Sequence, residues 1–224
     1  MTERPLFPER RFAALVFDMD GTILTSIAAA ERVWTKWATR HGVDVAAFLP
    51  TIHGVQAVDT ISRLGLPGVD PAAEADEITR EEIVDVAGID PIPGAPAFLS
   101  SLPAGRWGVV TSATLPLAKA RLQAAGLPLP AMLITAEEVT RGKPAPDGYL
   151  LAAERLGCRA ADLCVFEDAA AGIQSAEAAG AAVAVITATH RHKVETPHPV
   201  LASYAGLIAR LDHAGLLQLV RRSD

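Results

Sequence analysis

The sequence has few of the features that mark a secreted, disulfide-bonded or membrane-spanning protein. Only two cysteines occur among its 224 residues, Cys158 and Cys164, and their spacing fits neither a zinc site nor a redox motif. No apolar run approaches the roughly 18 residues that a transmembrane helix needs. The opening MTERPLFPERR shows no apolar signal-peptide region. We therefore expect reduced thiols, no membrane partner and a cytoplasmic protein.

Positive charge is also scarce, which argues against a nucleic-acid partner. Lys and Arg number 20 against 26 Asp and Glu, a net charge of −6, and no basic stripe alternates with aromatic residues. Hydrophobic residues make up 50% of the chain, enough for one sizeable core or for a core domain with a small insertion. We expect a monomer that binds a small molecule.

Short apolar runs take turns with helical patterns from residue 94 onward. The runs are WGVVTSA, AMLITAEEV, LCVFED and AAVAVITA, and the earlier FAALVFDMD belongs to the same class. Strands that are continuously apolar, rather than alternating, are typical of a parallel sheet covered by helices on both faces. The sequence therefore predicts an α/β fold with a Rossmann-like parallel-sheet core.

The segment 27–93 has a different pattern, with helix-period stretches and no convincing strand. The simplest interpretation is a small helical cap domain inserted after the first strand. The stretch DPIPGAP is rich in proline and suits the hinge where the chain returns to the core. We predict a core domain of residues 1–26 and 94–224, and a cap domain of residues 27–93.

Polar side chains follow the apolar runs, where ligands bind in an open parallel sheet. They are Asp18, Asp20, Thr111, Ser112, Glu167 and Asp168, with Lys143 on the loop TRGKPAPD. Residues i and i+2 of an extended segment face the same side, so Asp18 and Asp20 can converge on one reacting centre. One carboxylate could then be a nucleophile while the other stays protonated as an acid.

Clustered carboxylates repel one another unless a cation lies between them. Asp168, with Glu167 beside it, supplies further oxygen ligands of the type that Mg²⁺ favours. Lys143 can neutralise both the nucleophile and a phosphoryl group, and Ser112 can donate to a phosphoryl oxygen. Thr111 is either a phosphate contact or a packing and capping residue. The set indicates a phosphoryl-transfer site with Mg²⁺ as cofactor.

Four ordered motifs, DMDGT, VVTS, GKPAPD and VFEDAAAGIQSAEAAG, resemble those of the haloacid dehalogenase superfamily. They span almost the whole chain, and four in order are far more specific than any one alone. The resemblance implies that Asp18 is the nucleophile that forms an aspartyl phosphate, with Asp20 as general acid and then base. It implies Mg²⁺ ligands from the side chains of Asp18 and Asp168 and the backbone carbonyl of Asp20. Glu167 is either a direct ligand or linked to the metal through water.

The position of the insertion resembles the cap of the subgroup that contains β-phosphoglucomutase and small sugar-phosphate phosphatases. Within it, AAAERVWTKWATRHG and IHGVQAVDTI are most similar to bacterial sugar phosphatases, which implies a small phosphorylated sugar or polyol as substrate. The resemblance makes His53 and Gly54 of this loop candidate substrate contacts. One residue departs from the pattern, since Thr25 stands where the family usually has an aspartate.

Three functions remain open at this point. The first is a Mg²⁺-dependent phosphatase for sugar or polyol phosphate monoesters, and the second is a hexose-phosphate mutase of the β-phosphoglucomutase type. The third is a noncatalytic binding protein, which the presence of all four motifs disfavours. A mutase needs cap cations for its second phosphate, yet the positions that correspond by resemblance carry Ala30, His53 and Ala57. The sequence therefore favours the phosphatase.

Overall fold

The computed structural model describes residues 2–190 and 192–223. In chain order its strands are β1 (Thr2–Pro5), β2 (Ala14–Phe17), β3 (Leu24–Thr25), β4 (Asp90–Pro91), β5 (Trp107–Val110), β6 (Leu133–Ile134), β7 (Leu163–Glu167), β8 (Ala182–Ile186), β9 (Val200–Leu201), β10 (Leu207–Leu211) and β11 (Leu217–Ser223). Its α-helices are α1 (Ile27–Arg40), α2 (Val45–Phe48), α3 (Ala57–Leu64), α4 (Pro71–Val84), α5 (Ala95–Ser101), α6 (Leu115–Ala124), α7 (Asp147–Arg155) and α8 (Ala170–Ala179).

A six-stranded parallel sheet lies at the centre, in the spatial order β6-β5-β2-β7-β8-β9. The predicted α/β class with a Rossmann-like core is confirmed. Apart from Glu167 at the end of β7, its strands are apolar because both faces of the sheet are covered. In β2, Leu15 and Phe17 pack into the core on one face, and Val16 packs into a second core on the other. The Phe17 ring stacks on that of Phe166 in the neighbouring strand, with ring centroids 4.7 Å apart.

Helices α1 to α4 form the segment inserted after the first strand of this sheet. Their apolar faces pack into a hydrophobic core separate from the two against the sheet, built on Trp34, Trp37, Phe48, Ile61 and Ile78. The chain leaves and returns through a two-residue antiparallel ladder between β3 and β4, in which Thr25 lies opposite Asp90. The inserted segment therefore has its own apolar core and a paired entry and exit.

A second, three-stranded antiparallel sheet in the order β1-β11-β10 joins the two ends of the chain. The sequence did not predict these strands. Among the described residues, no helix combines the length and the apolarity that crossing a membrane requires.

Candidate active site

The polar residues meet because three adjacent strands end at one edge of the sheet. Strand β2 ends just before Asp18, β5 ends just before Thr111, and β7 ends at Glu167 with Asp168 next. Parallel strands place their carboxyl ends side by side, so residues far apart in the chain become neighbours. This edge of the sheet is the candidate active site.

The turn after β2 fits closely around Asp168. Gly21 has a φ of +84°, and a Cβ built on it would lie 2.0 Å from Oδ2 of Asp168. Glycine adopts this conformation without strain and is the one residue type that leaves this space. The next residue, Thr22, donates its hydroxyl to Oδ1 of Asp168 at 3.1 Å. The DMDGT turn therefore fixes the carboxylate of Asp168 beside the end of β2.

Lys143 brings a positive charge into the buried part of the site. Its ammonium donates to Oδ1 of Asp18 at 2.5 Å, to Oε1 of Glu167 at 2.7 Å and to the carbonyl of Val110 at 3.3 Å. Burial opposes the charged form, but the two carboxylates outweigh it and hold the pKa of Lys143 well above its usual range. The lysine is therefore charged and oriented toward Asp18.

Glu167 has hydrogen-bond donors at both of its oxygens. Besides Lys143, Oε1 accepts from the hydroxyl of Tyr149 at 3.0 Å, and Oε2 accepts from the backbone N–H groups of Asp168 at 2.9 Å and Ala169 at 3.1 Å. Helix α8 can approach because Gly172 lacks a side chain, since a Cβ there would lie 1.6 Å from Oε1. This geometry makes Glu167 an anchor for Lys143.

Three carboxylates form a group that could hold a cation. Oxygens of Asp18, Glu167 and Asp168 lie within 4.8 Å of one another, the one such group among the described residues. Burial, with smaller contributions from Glu167 and Asp20, raises the pKa of Asp18 to about 7 despite the opposing effect of Lys143. Burial and the neighbouring carboxylates also raise the pKa of Asp168 well above its usual range. Crowded carboxylate oxygens of this kind fit a hard divalent cation such as Mg²⁺.

The side chain of Asp20 interacts away from this group. Its Oδ1 accepts a hydrogen bond from the hydroxyl of Ser26 at 2.6 Å, and its Oδ2 lies 3.0 Å from Nη1 of Arg121. The side chain keeps about a quarter of its surface exposed, with 26% accessible. Asp20 is thus held between Ser26, which precedes α1, and Arg121 of α6.

Arg121 is a residue of this site that the sequence analysis missed. It is buried on α6 and pairs with Glu82 of α4 through Nη2 at 3.0 Å. A signal was present, because Arg121 falls at helical spacing among apolar positions that are all buried: Leu117, Ala118 and Leu122. An arginine on an apolar helix face needs a buried partner, but its partners lie elsewhere in the chain.

A cavity of about 330 Å³ lies between the inserted helices and the sheet edge. Six of the predicted site residues line it: Asp18, Asp20, Thr111 and Ser112 from the core side, with His53 and Gly54 opposite. Such a volume suits a small metabolite.

The structure also gives the contacts of these lining residues. The hydroxyl of Ser112 donates to the carbonyl of Gly54 at 3.1 Å, so the two sides of the cavity touch. The hydroxyl of Thr111 accepts from the backbone N–H of Ala113 at 3.1 Å, as a capping residue would. Burial lowers the pKa of His53, although Glu31, 3.8 Å away, acts against the shift. A neutral His53 can both donate to and accept from a hydroxyl group.

Comparison with known proteins finds phosphatases among the relatives of this chain. Hexitol phosphatase A of Escherichia coli (strain K12) is 44% identical over 182 residues, which cover 80% of this chain and 84% of the relative. Fructose-1-phosphate phosphatase YqaB of the same organism is 33% identical over 178 residues, covering 76% and 94%. The similarity to bacterial sugar phosphatases is confirmed.

Solved structures share the fold. The structure of CbbY from Rhodobacter sphaeroides in complex with phosphate superposes with a TM-score of 0.73 at 23% identity, covering 87% of this chain and 95% of the other. The family model for haloacid dehalogenase-like hydrolases matches residues 12–180. The chain therefore belongs to the haloacid dehalogenase-like hydrolase family.

Proposed function

We propose that this protein is a Mg²⁺-dependent phosphatase that hydrolyses small sugar or polyol phosphate monoesters through an aspartyl phosphate. The observation that carries the proposal is the placement of Asp18. Its side chain lines the cavity and forms an ion pair with the buried cation Lys143. Hexitol phosphatase A, which is 44% identical to this chain, supports sugar or polyol phosphates as the substrate class.

Asp18 and Asp20 divide the chemistry between them in this proposal. Lys143 holds Oδ1 of Asp18, which leaves the second oxygen to attack the phosphorus. The ester bond breaks, and Asp20 gives its proton to the departing alkoxide. Asp20 then takes a proton from water as the water attacks phosphorus, which releases inorganic phosphate and restores the carboxylate of Asp18. Ser112 donates to a phosphoryl oxygen, and Thr111 shapes the adjoining turn.

The metal ligands in the proposal are the side chains of Asp18 and Asp168 and the backbone carbonyl of Asp20. A bound Mg²⁺ supplies positive charge that draws nucleophile and phosphoryl group together. Glu167 completes the acidic group, and because four donors already occupy its two oxygens, it would interact with a bound Mg²⁺ through water. Lys143 and the metal together offset the charge of three carboxylates.

The cap side of the cavity favours a substrate with one phosphate. Among the described lining residues, those between 27 and 93 include neither lysine nor arginine. We propose that residues 27–93 act as the cap domain over a core of residues 1–26 and 94–224, with His53 and Gly54 contacting substrate hydroxyls. A mutase would need cations there for a second phosphate. The monomeric state and the cytoplasmic location stay predictions.

The test is a panel of phosphate monoesters with purified protein and Mg²⁺, read as free phosphate. The panel includes hexitol phosphates, fructose 1-phosphate, glycerol phosphate and nucleoside monophosphates. We expect release from sugar or polyol esters, its loss with a chelator, and little release from nucleotides. A separate assay with glucose 1-phosphate and a bisphosphate primer tests the alternative function, a mutase. Isomerisation to glucose 6-phosphate that outpaces phosphate release would overturn the proposal.

A further inference from the structure

A buried arginine links the inserted helices to Asp20. Arg121 on α6 places Nη1 3.0 Å from Oδ2 of Asp20 and Nη2 3.0 Å from Oε1 of Glu82 on α4. The side chains of Arg121 and Glu82 are only 7% and 8% exposed. Nε of the same guanidinium has no hydrogen-bond partner among the described residues. The two terminal nitrogens therefore account for its contacts with Asp20 and Glu82.

Arg121, with its contacts to Asp20 and Glu82, is called the Arg121 bridge below. Stability alone does not explain this bridge. Burying charged groups costs desolvation free energy, and a buried ion pair often contributes no more than apolar side chains of similar volume. What a bridge of this kind supplies is geometry, because a planar guanidinium holds two carboxylates at fixed positions relative to each other.

The bridge fixes the oxygen of Asp20 that Ser26 leaves free. Ser26, immediately before α1, donates to Oδ1, and Arg121 binds Oδ2. Both oxygens are therefore held at the junction between the inserted helices and the sheet. The cavity is lined by all three members of the bridge, Asp20, Arg121 and Glu82. A substrate bound in the cavity would therefore contact the bridge.

We propose that Arg121 is a positioning residue for Asp20, and that Glu82 makes this positioning depend on the docking of the inserted helices on the core. When α4 packs on α6, Glu82 orients the guanidinium, and the guanidinium orients the carboxyl group that transfers the proton. When α4 moves away, Arg121 loses one of its two anchors. The inference rests on the proposed function, because it takes Asp20 as the acid and base.

The first test compares Glu82→Gln with Glu81→Gln. The control makes the same change one residue earlier on the same helix, where the side chain of Glu81 is 42% accessible and lies 3.7 Å from Lys36. A positioned general acid is worth about 10²–10⁴ in rate. We expect Glu82→Gln to lower kcat/KM for a sugar phosphate by about tenfold, as a misplaced acid retains part of that effect. The ratio kcat/KM is used because it covers only the steps up to the aspartyl phosphate, in which Asp20 acts as the acid. With p-nitrophenyl phosphate, whose leaving group needs no proton, the loss in kcat/KM should stay below about twofold.

Substitution of Arg121 gives the second arm. Arg121→Lys keeps the charge but not the two-pronged geometry, so we expect the same selective loss for the sugar phosphate. Arg121→Met should lose more, provided that it folds, since it leaves two carboxylates without a cation. Thermal unfolding identifies a variant that does not fold, and Arg121→Lys and Glu82→Gln then carry the test.

A double-mutant cycle with Asp20→Asn separates the outcomes. In the Asp20→Asn background, Glu82→Gln should cost less than about twofold, because the group that it positions is gone. If Asp20→Asn lowers kcat/KM equally for both esters, the acid assignment of the proposed function fails. If Asp20→Asn behaves as an acid variant but Glu82→Gln matches Glu81→Gln, the inference alone is overturned. A full Glu82→Gln loss in the Asp20→Asn background would also overturn it.

Discussion

Replacing Lys143 with methionine tests the charge balance of the site. The ammonium lies 2.5 Å from Asp18 and 2.7 Å from Glu167, and its side chain is 5% exposed. Methionine keeps the apolar stem but removes the charge that these two carboxylates share. Breaking a buried pair by removing one partner costs about 3–5 kcal/mol of stability. The lost electrostatic stabilisation of the reacting phosphoryl group should lower kcat by about 10²–10³.

The stability loss should depend on pH in a definite direction. Burial raises the pKa of Asp18 to about 7 although Lys143 acts to lower it, so the variant should have a still higher pKa for Asp18. A carboxyl group with a raised folded-state pKa destabilises the fold when pH exceeds its unfolded value, and this effect grows until pH reaches the folded value. In metal-free protein the difference between wild type and variant should therefore be large near about pH 8 and smaller near about pH 5.5.

The assay combines phosphate release at saturating Mg²⁺ with thermal unfolding in chelator at the two pH values. Arg141→Met is the matched control, since Arg141 lies on the same loop but is 68% exposed and pairs with Asp147 at the surface. Exposed pairs contribute about 0–1 kcal/mol, so we expect the control to stay near wild type. A Lys143→Met variant that behaves like Arg141→Met in both measurements would refute the role of the lysine.

Two further predictions concern the metal. Asp168→Asn should raise the Mg²⁺ concentration for half-maximal activity by about tenfold or more, because a charged ligand is lost; an unchanged titration curve would remove Asp168 from the ligand set. Mg²⁺ binding to the wild type should tighten as pH rises through the pKa of Asp18, about 7, because the carboxyl group must release its proton before it binds a cation. Calorimetry at several pH values checks this, and pH-independent affinity would contradict it.

Local sequence patterns were enough to predict the polar edge of the sheet and five of its six strands, all but β9. The strands β2, β7 and β8 are buried along their whole length, so their apolar runs reflect two covered faces whatever their order in space. Residues just after such runs must lie at one edge of a parallel sheet, which is why the predicted Asp18, Thr111 and Asp168 lie together in the structure.

Arg121 and the terminal sheet depend on contacts that no local pattern contains. In the sequence, Arg121 looks like any other arginine of a helix. Its role is visible only in the structure, where Glu82 of α4, a helix from a different segment, pairs with it. Strand β11 pairs with β1 from the opposite end of the chain. The sequence around β11 therefore contains only one of its two partner strands, β10. The hairpin between β10 and β11 has a local signal, the DHAG turn between apolar runs, which a helical pattern of leucines obscures.

Phosphate release by Asp18→Asn tests the covalent mechanism most directly. An amide has nearly the shape of the carboxylate but cannot form the aspartyl phosphate, and Lys143 retains its contact with Glu167. On the sugar or polyol phosphate that the wild type hydrolyses fastest, with Mg²⁺ present, we expect the folded variant to release phosphate only at background rate. Release near the wild-type rate, from a variant that unfolds as cooperatively as the wild type, would contradict nucleophilic attack by Asp18.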